Sequence, residues 1–211
     1  MKIDNLIDRL RSRVPGILGQ KDFYRFSVLL PLIKKNGEIH IVFEVRSNTL
    51  RRQPGEICFP GGKIEREDYN EKACAIRETS EELGIPEESI RDVIPLDYMV
   101  SAFGTIIYPF VGTIDNYESI KPNEDEVGGL FTVPLSFLLN LQPEKYKINY
   151  QVKPEDGFPF DLIIGGENYE WQARQLEEHF YLYEGKAIWG LTARILTHFL
   201  ELVRTNSVLS K

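Results

Sequence analysis

Pro60-Gly61-Gly62-Lys63, followed by Arg77-Glu78-Thr79-Ser80-Glu81-Glu82-Leu83-Gly84, sets a tight glycine turn ahead of a strongly acidic segment. The segment reads as the end of a helix over residues 70–83. Ala73, Ile76, Ser80 and Leu83 form its inward stripe, Gly84 stops it, and Pro86 lies just beyond. At roughly 100° per residue, Glu78 and Glu82 stand roughly 40° apart, with Glu81 roughly 60° to the other side of Glu78. All three are therefore expected on one face. Three carboxylates so close repel one another, and a hard divalent cation with oxygen ligands removes that repulsion. Taken alone, an acidic face is more often solvated surface. The glycine turn alters that balance, because glycine takes backbone conformations and permits close approaches that other residues do not. Arg77 is placed to reach back and orient a glutamate or the loop.

Outward from this core, residues 26–33 (FSVLLPLI) read as a buried strand and residues 38–46 (EIHIVFEVR) as an alternating one. Asn36-Gly37 between them marks a hairpin turn. Residues 50–62, rich in Arg, Pro and Gly, read as a long structured loop. Further strands are expected at 92–102, 106–114 and 127–133, and a short helix at 134–141 with Pro134 in its first turn. Residues 145–183 read as strands joined by polar loops. A closing helix over 187–203 is apolar at Ile188, Leu191, Ile195, Phe199 and Leu202. Near the start, residues 5–14 are helical in spacing (Leu6, Ile7, Leu10, Val14), with Asp4 as N-cap and Pro15-Gly16 as a stop. Strands and helices are mixed without strict alternation, so an α/β sandwich with a mixed sheet is the expectation. One domain over 1–211 is expected, with an N-terminal helical extension (1–24) and a C-terminal helix (186–204).

The composition, 42% hydrophobic and 27% charged over 211 residues, is that of a globular protein. A net charge of −7 without a basic stripe argues against nucleic acid as a partner. The apolar run 26–33 is far too short to cross a bilayer, so no membrane partner is expected. No segment near the start combines a basic region, an apolar run and a small-residue cleavage site, and a cytoplasmic protein is expected. Cys58 and Cys74 lie in apolar contexts and read as buried small hydrophobes. His40, His179 and His198 are scattered and read as structural or surface residues.

The stretch from Gly62 to Ile85 resembles the box of the Nudix hydrolase superfamily. Gly62 is followed by Asp68, then Arg77-Glu78, Glu81-Glu82-Leu83-Gly84 and Ile85. Asp68 stands where the box has Glu, one residue is inserted before Arg77, and Thr79 takes an apolar place. These departures weigh against Asp68 as a ligand and leave the spacing of Glu78, Glu81 and Glu82 intact. A second signature precedes the box: Arg46-Ser47, Arg51, Gly55 and Phe59-Pro60-Gly61-Gly62. It is similar to that of the coenzyme A pyrophosphatase branch, except that Val42-Phe43-Glu44 replaces the usual Leu-Leu-Thr. Trp189-Gly190-Leu191-Thr192-Ala193-Arg194 also resembles the close of these enzymes.

The resemblance implies an α/β/α sandwich and metal-dependent hydrolysis of the diphosphate of coenzyme A or its derivatives to 3′,5′-ADP and 4′-phosphopantetheine. It implies Mg²⁺ or Mn²⁺ on Glu78, Glu81 and Glu82, and a general base in Glu81 or in Glu126 of the acidic turn before the strand at 127. Arg46, Arg51, Gly61, Gly62 and Lys63 become candidates for binding the substrate, the two arginines by bidentate contact with phosphate. Another nucleoside diphosphate compound such as ADP-ribose, or a Nudix-fold binding module without turnover, are the alternatives. A homodimer is compatible with the sequence, which specifies no oligomeric state.

Overall fold

Every side chain from Val28 to Ile33 is apolar, so this segment has two faces to bury and belongs inside a sheet. In the computed structural model, which describes residues 3–101, 103–115, 117–172 and 174–208 (side chains through 205), it is the centre of β1 (Tyr24–Lys35). β1 turns through Asn36 (φ 51°) and Gly37 (φ 83°) into the antiparallel β2 (Glu38–Arg46). Left-handed backbone at both turn residues is what a two-residue hairpin matched to strand twist requires. On its other edge β1 runs parallel to β7 (Thr105–Ile114). Among the described residues the sheet is completed by β3 (Ile57–Cys58), β4 (Gly61–Lys63), β5 (Ile90–Pro95), β6 (Met99–Ser101) and β8 (Val127–Pro134). The path is β3-β2-β1-β7-β5, with β4 on β1, β6 on β7 and β8 on β2. The sheet is mixed, as expected.

The strand period of two sorts the core into two layers. Leu29, Ile33 and Val42 face α2 (Glu71–Leu83), packing with its Ala75 and Leu83. Leu30, Ile41 and Phe43 face α4 (Gly190–Val208), packing with Ala193, Leu196 and Leu200. Helices on both faces make the α/β/α sandwich. By the same period, Glu44 falls on the α2 face. A second, three-stranded antiparallel sheet of β9 (Glu144–Tyr150), β10 (Arg174–Tyr183) and β11 (Lys186–Ile188) lies against α4, where His179 and Tyr181 both hydrogen-bond Thr197 at 2.9 Å.

Several boundaries differ from the expectation. Residues 187–189 precede α4: Ile188 belongs to β11, and Leu191 and Leu202 are each 37% exposed while Ala193, Leu196 and Leu200 turn inward. The strand expected over 92–102 is divided into β5 and β6, and its last residue, Ala102, lies outside the described residues. The loop 50–62 contains β3 and the start of β4. Pro134 precedes the short α3 (Leu135–Asn140) as its cap rather than entering its first turn. α1 (Ile3–Arg11) starts before Asp4, ends before Val14 and buries none of its residues. Among the described residues no helix is long and apolar enough to cross a membrane.

α2 is tied at both ends. The Asn70 side chain accepts from the Ala73 N–H at 2.9 Å, a regular N-cap. Ser27 Oγ donates to the Glu71 carbonyl at 2.7 Å, and Arg25 pairs with the Glu71 carboxylate, holding the first turn on β1. At the other end Gly84 (φ 60°) closes the helix, and a Cβ there would lie 2.0 Å from the Lys121 carbonyl oxygen. Gly84→Ala is therefore expected to cost more than about 2 kcal/mol, from strained backbone plus displaced chain. Gly104→Ala, at φ 72° with open space around it, is the control and is expected to cost about 1 kcal/mol. Denaturant titration of both variants measures the difference.

Candidate active site

The glycine turn brings the loop and α2 together. Gly61 and Gly62 pair antiparallel with Val28 and Ser27 of β1, and the Leu29 N–H donates to the Pro60 carbonyl at 2.9 Å. At Gly61 (φ 152°) a Cβ would lie 2.3 Å from the Ser27 carbonyl oxygen. At Gly62 a Cβ would lie 2.2 to 2.4 Å from the carboxylate atoms of Glu78. The turn thus permits two close approaches, backbone to strand and backbone to carboxylate. The Gly61 N–H donates to Glu82 Oε2 at 2.8 Å, which gives a buried carboxylate the donor it needs.

Glu82 is therefore inward-facing, and the stripe expected from Ala73, Ile76, Ser80 and Leu83 is turned accordingly. The residues α2 buries are Cys74, Ala75, Thr79, Glu82 and Leu83. Arg77 does reach back, as its position before the glutamates implied. Its Nε and Nη2 grip Asp68 at 2.9 and 3.1 Å, Nη2 also donates to Glu78 at 2.8 Å, and Nη1 donates to Glu81 at 3.1 Å. The Arg77 hydrogen bonds hold the Asp68 carboxyl at about 2. Asp68 thus serves as an anchor for Arg77.

A cleft of about 620 Å³ opens over this turn. Glu78, Glu82 and Glu126 line it, together with Arg46, Gly61 and Gly62. Glu126 is carried there by three backbone hydrogen bonds: Lys121 N–H to the Leu83 carbonyl (3.1 Å), Asn123 N–H to the Glu82 carbonyl (2.9 Å) and Ser47 N–H to the Glu126 carbonyl (2.8 Å). Three of the residues expected at the site stand outside this lining. Glu81 points outward, its side chain 56% exposed and paired with Arg77. Arg51 is exposed, and Arg52 lines the cleft in its place, its carbonyl accepting from Arg46 Nη2 at 3.5 Å. Lys63 turns away over the Tyr24 ring, 5.6 Å from its centre.

Glu44 is the residue sequence reasoning missed. It is 1% exposed, accepts a hydrogen bond from Cys58 Sγ at 3.1 Å through Oε1, and leaves Oε2 without a partner. A signal was available: a lone carboxylate in an otherwise apolar strand core, on the α2 face by the period of two. Burial, opposed by the Cys58 hydrogen bond and Arg46, pushes Glu44 up to about 7. Burial and then Glu44 itself push Glu82 up to about 9. Burial also raises Glu78, against the pull of Arg77. The thiols are raised too, Cys58 mainly by burial and Glu44, and Cys74 to about 12 mainly by burial. Neither is poised as a nucleophile.

The donors in this cluster are carboxylate oxygens, which suit a hard cation such as Mg²⁺ or Mn²⁺ better than a soft one. One buried oxygen is orphaned, and a cation would satisfy it. Among the described residues no three carboxylate, histidine or cysteine side chains already converge in coordination geometry. Glu78 and Glu82 are instead engaged by Arg77 and the Gly61 N–H.

The acids also set a pH dependence. Both Glu44 and Glu82 lie above their ordinary value of 4.5, so between there and about 9 the folded chain binds more protons than the unfolded one. Their contribution is then lost as pH rises through that window. In chelator the melting temperature is expected to fall from pH 5 to pH 9, by about 2–4 °C for each kcal/mol lost. Glu82→Gln is expected to flatten the slope, and thermal melts across that range measure it.

Comparison with known proteins bears on this geometry. The family described as NUDIX domain matches residues 23–154. The peroxisomal coenzyme A diphosphatase NUDT7 of Mus musculus is 38% identical over 144 residues, covering 66% of this chain. The chain spans 61% of the length of that mouse relative. An uncharacterized Nudix hydrolase NudL of Photorhabdus laumondii is 32% identical over 84% of each chain. Among solved structures, a MutT/nudix family protein from Enterococcus faecalis superposes at a TM-score of 0.49 and 14% identity, covering 97% of this chain and 70% of its own. With that domain match over most of its length and the glutamates of α2 set against a glycine turn, the chain belongs to the Nudix hydrolases.

Proposed function

We propose that the protein hydrolyses the diphosphate bond of coenzyme A or a derivative of it, releasing 3′,5′-ADP and 4′-phosphopantetheine. The observation that carries this reading is that Arg46, from the second signature, lines the same cleft as Glu78 and Glu82 from the box. A guanidinium beside a carboxylate cluster gives a polyanionic substrate one cationic anchor in a chain whose net charge is −7. The cleft also has an apolar lining, Phe26, Phe59, Trp189 and Leu191 among it, which offers a surface to the uncharged parts of such a molecule. The name of the mouse relative supports the same substrate class.

In this reading Glu78 and Glu82 from within the cleft, together with Glu81, hold Mg²⁺ or Mn²⁺. A bound divalent cation would neutralise diphosphate charge and acidify water. The chain's own contributions are binding and proton handling. Arg46 orients the diphosphate in the cleft that Gly61 and Gly62 also line. Arg77 fixes Glu78 and Glu81 in rotamer and direction. Glu126, exposed at the mouth of the cleft, accepts the proton of the attacking water and releases it to solvent.

Purified protein with Mg²⁺ or Mn²⁺ is expected to release 3′,5′-ADP from coenzyme A, read by chromatography. No release, with turnover of ADP-ribose or a nucleoside triphosphate, overturns the substrate assignment. Glu126→Gln is expected to lower kcat by about 10²–10⁴-fold, the range of a positioned general base. Arg46→Ala is expected to act chiefly on KM, raising it about tenfold, the equivalent of about 1.4 kcal/mol of lost charge-assisted binding.

A further inference from the structure

A buried carboxylate with an unpartnered oxygen is a costly arrangement, and folded proteins satisfy nearly all such atoms. Glu44 is one. The β2 register sets it between Cys58 of β3 and Leu130 of β8, so backbone pairing fixes its position from both sides. Its strand neighbour on the same face, Val42, packs in the α2 core layer, and Arg46, the next on that face, lines the cleft. Glu44 therefore sits between core and cleft, hydrogen-bonded to Cys58, which itself lines the cleft. Glu82 and Glu126 act on it or are acted on by it through their charges, so the three acids share one neighbourhood.

A purely structural role explains this poorly. The Cys58 thiol is a weak donor and satisfies one oxygen only. Oε2 has no hydrogen-bond partner, as donor or as acceptor. In the signature this chain resembles, the position is held by Thr, whereas this chain has an acid there. We propose that Glu44 is a further carboxylate of the divalent-cation site, where its free Oε2 would join Glu82 in holding the cation. The inference rests on the cation-dependent reading given above, and adds a residue from the sheet to ligands drawn from α2.

The test is binding, without turnover. Chelator-treated full-length wild type, Glu44→Gln, Glu44→Thr and Glu82→Gln are titrated with Mn²⁺, and free Mn²⁺ is followed by electron paramagnetic resonance. Gln is nearly isosteric and keeps an acceptor for the Cys58 thiol, so that variant preserves the fold even where Thr does not. Melting temperatures in chelator are recorded for all four. Glu44→Gln is expected to weaken Mn²⁺ binding tenfold or more while its cation-free melting temperature stays level or rises, since a buried charge has been removed. Weakened binding by Glu82→Gln together with Mn²⁺ affinity within twofold of wild type in both Glu44 variants overturns the role of Glu44 and leaves the site on α2 standing. Wild-type affinity in Glu82→Gln overturns the site itself, and the proposal with it.

Discussion

The hydrogen bond from the Gly61 N–H to Glu82 Oε2 is the contact on which the rest of the site depends. A carboxylate 6% exposed can face the sheet only where a donor waits for it. That donor is free because β4 is short and pairs with β1 along one edge only. The same pairing carries Gly62 under Glu78, close enough that no side chain could fit between them. The orientation of α2 on the sheet, the depth of the turn and the position of two acids are thus one geometric solution. A residue with a Cβ at either glycine would displace backbone at Gly61 or a carboxylate at Gly62.

Arg77 is the electrostatic counterpart of that contact. One guanidinium engages three carboxylates, from Asp68, Glu78 and Glu81. Its strongest grip is the bidentate one on Asp68, outside the acidic cluster, and this leaves its remaining donors to hold Glu78 and Glu81 in place. The departure from the family box at Asp68 is therefore physically consistent. A one-residue insertion before Arg77 leaves an acid still able to anchor it, while the three helical glutamates keep their spacing. Glu82 is beyond the reach of Arg77 and depends on the backbone instead. Burial raises both acids, opposed at Glu78 by Arg77 and at Glu82 by the Gly61 N–H.

Much of this was legible in the residue pattern. Alternation and the Asn36-Gly37 pair located the β1–β2 hairpin, and the Gly84 stop placed the end of α2. Of the two arginines in the signature, Arg46 lines the cleft and Arg51 does not. The reason is local: the loop reverses direction through Gln53 (φ 52°), and Arg52 rather than Arg51 comes to line the cleft. Sequence spacing carries no information about such a reversal. The stripe on α2 was misplaced because helical periodicity was read from apolar residues alone. Glu82 is buried by a hydrogen bond to a distant turn, a contact that hydropathy cannot register. Ile188 was assigned to the closing helix because its apolar spacing continued that of α4. A strand residue and a helix residue both bury one side, and the turn at Glu184 and Gly185 (φ 46° and 74°) was the signal that distinguished them.

The clustering of acids has a consequence for how the molecule balances stability against function. Glu44, Glu78 and Glu82 are withdrawn from water, and Arg46 opposes the charge of Glu44 while Arg77 opposes that of Glu78. A hydrophobic residue at any of the three positions would pack with the same core layers at less expense to the fold. Under the proposed function, these acids serve chemistry at the cleft and not packing. The sheet supplies the rigidity this requires. β2 is held by β8 along nearly its whole length and by β1 and β3 at its two ends, so Glu44 cannot retreat toward solvent. A site built on paired strands and a doubly capped helix keeps its repelling groups in place, ready for a ligand of opposite charge to stabilise.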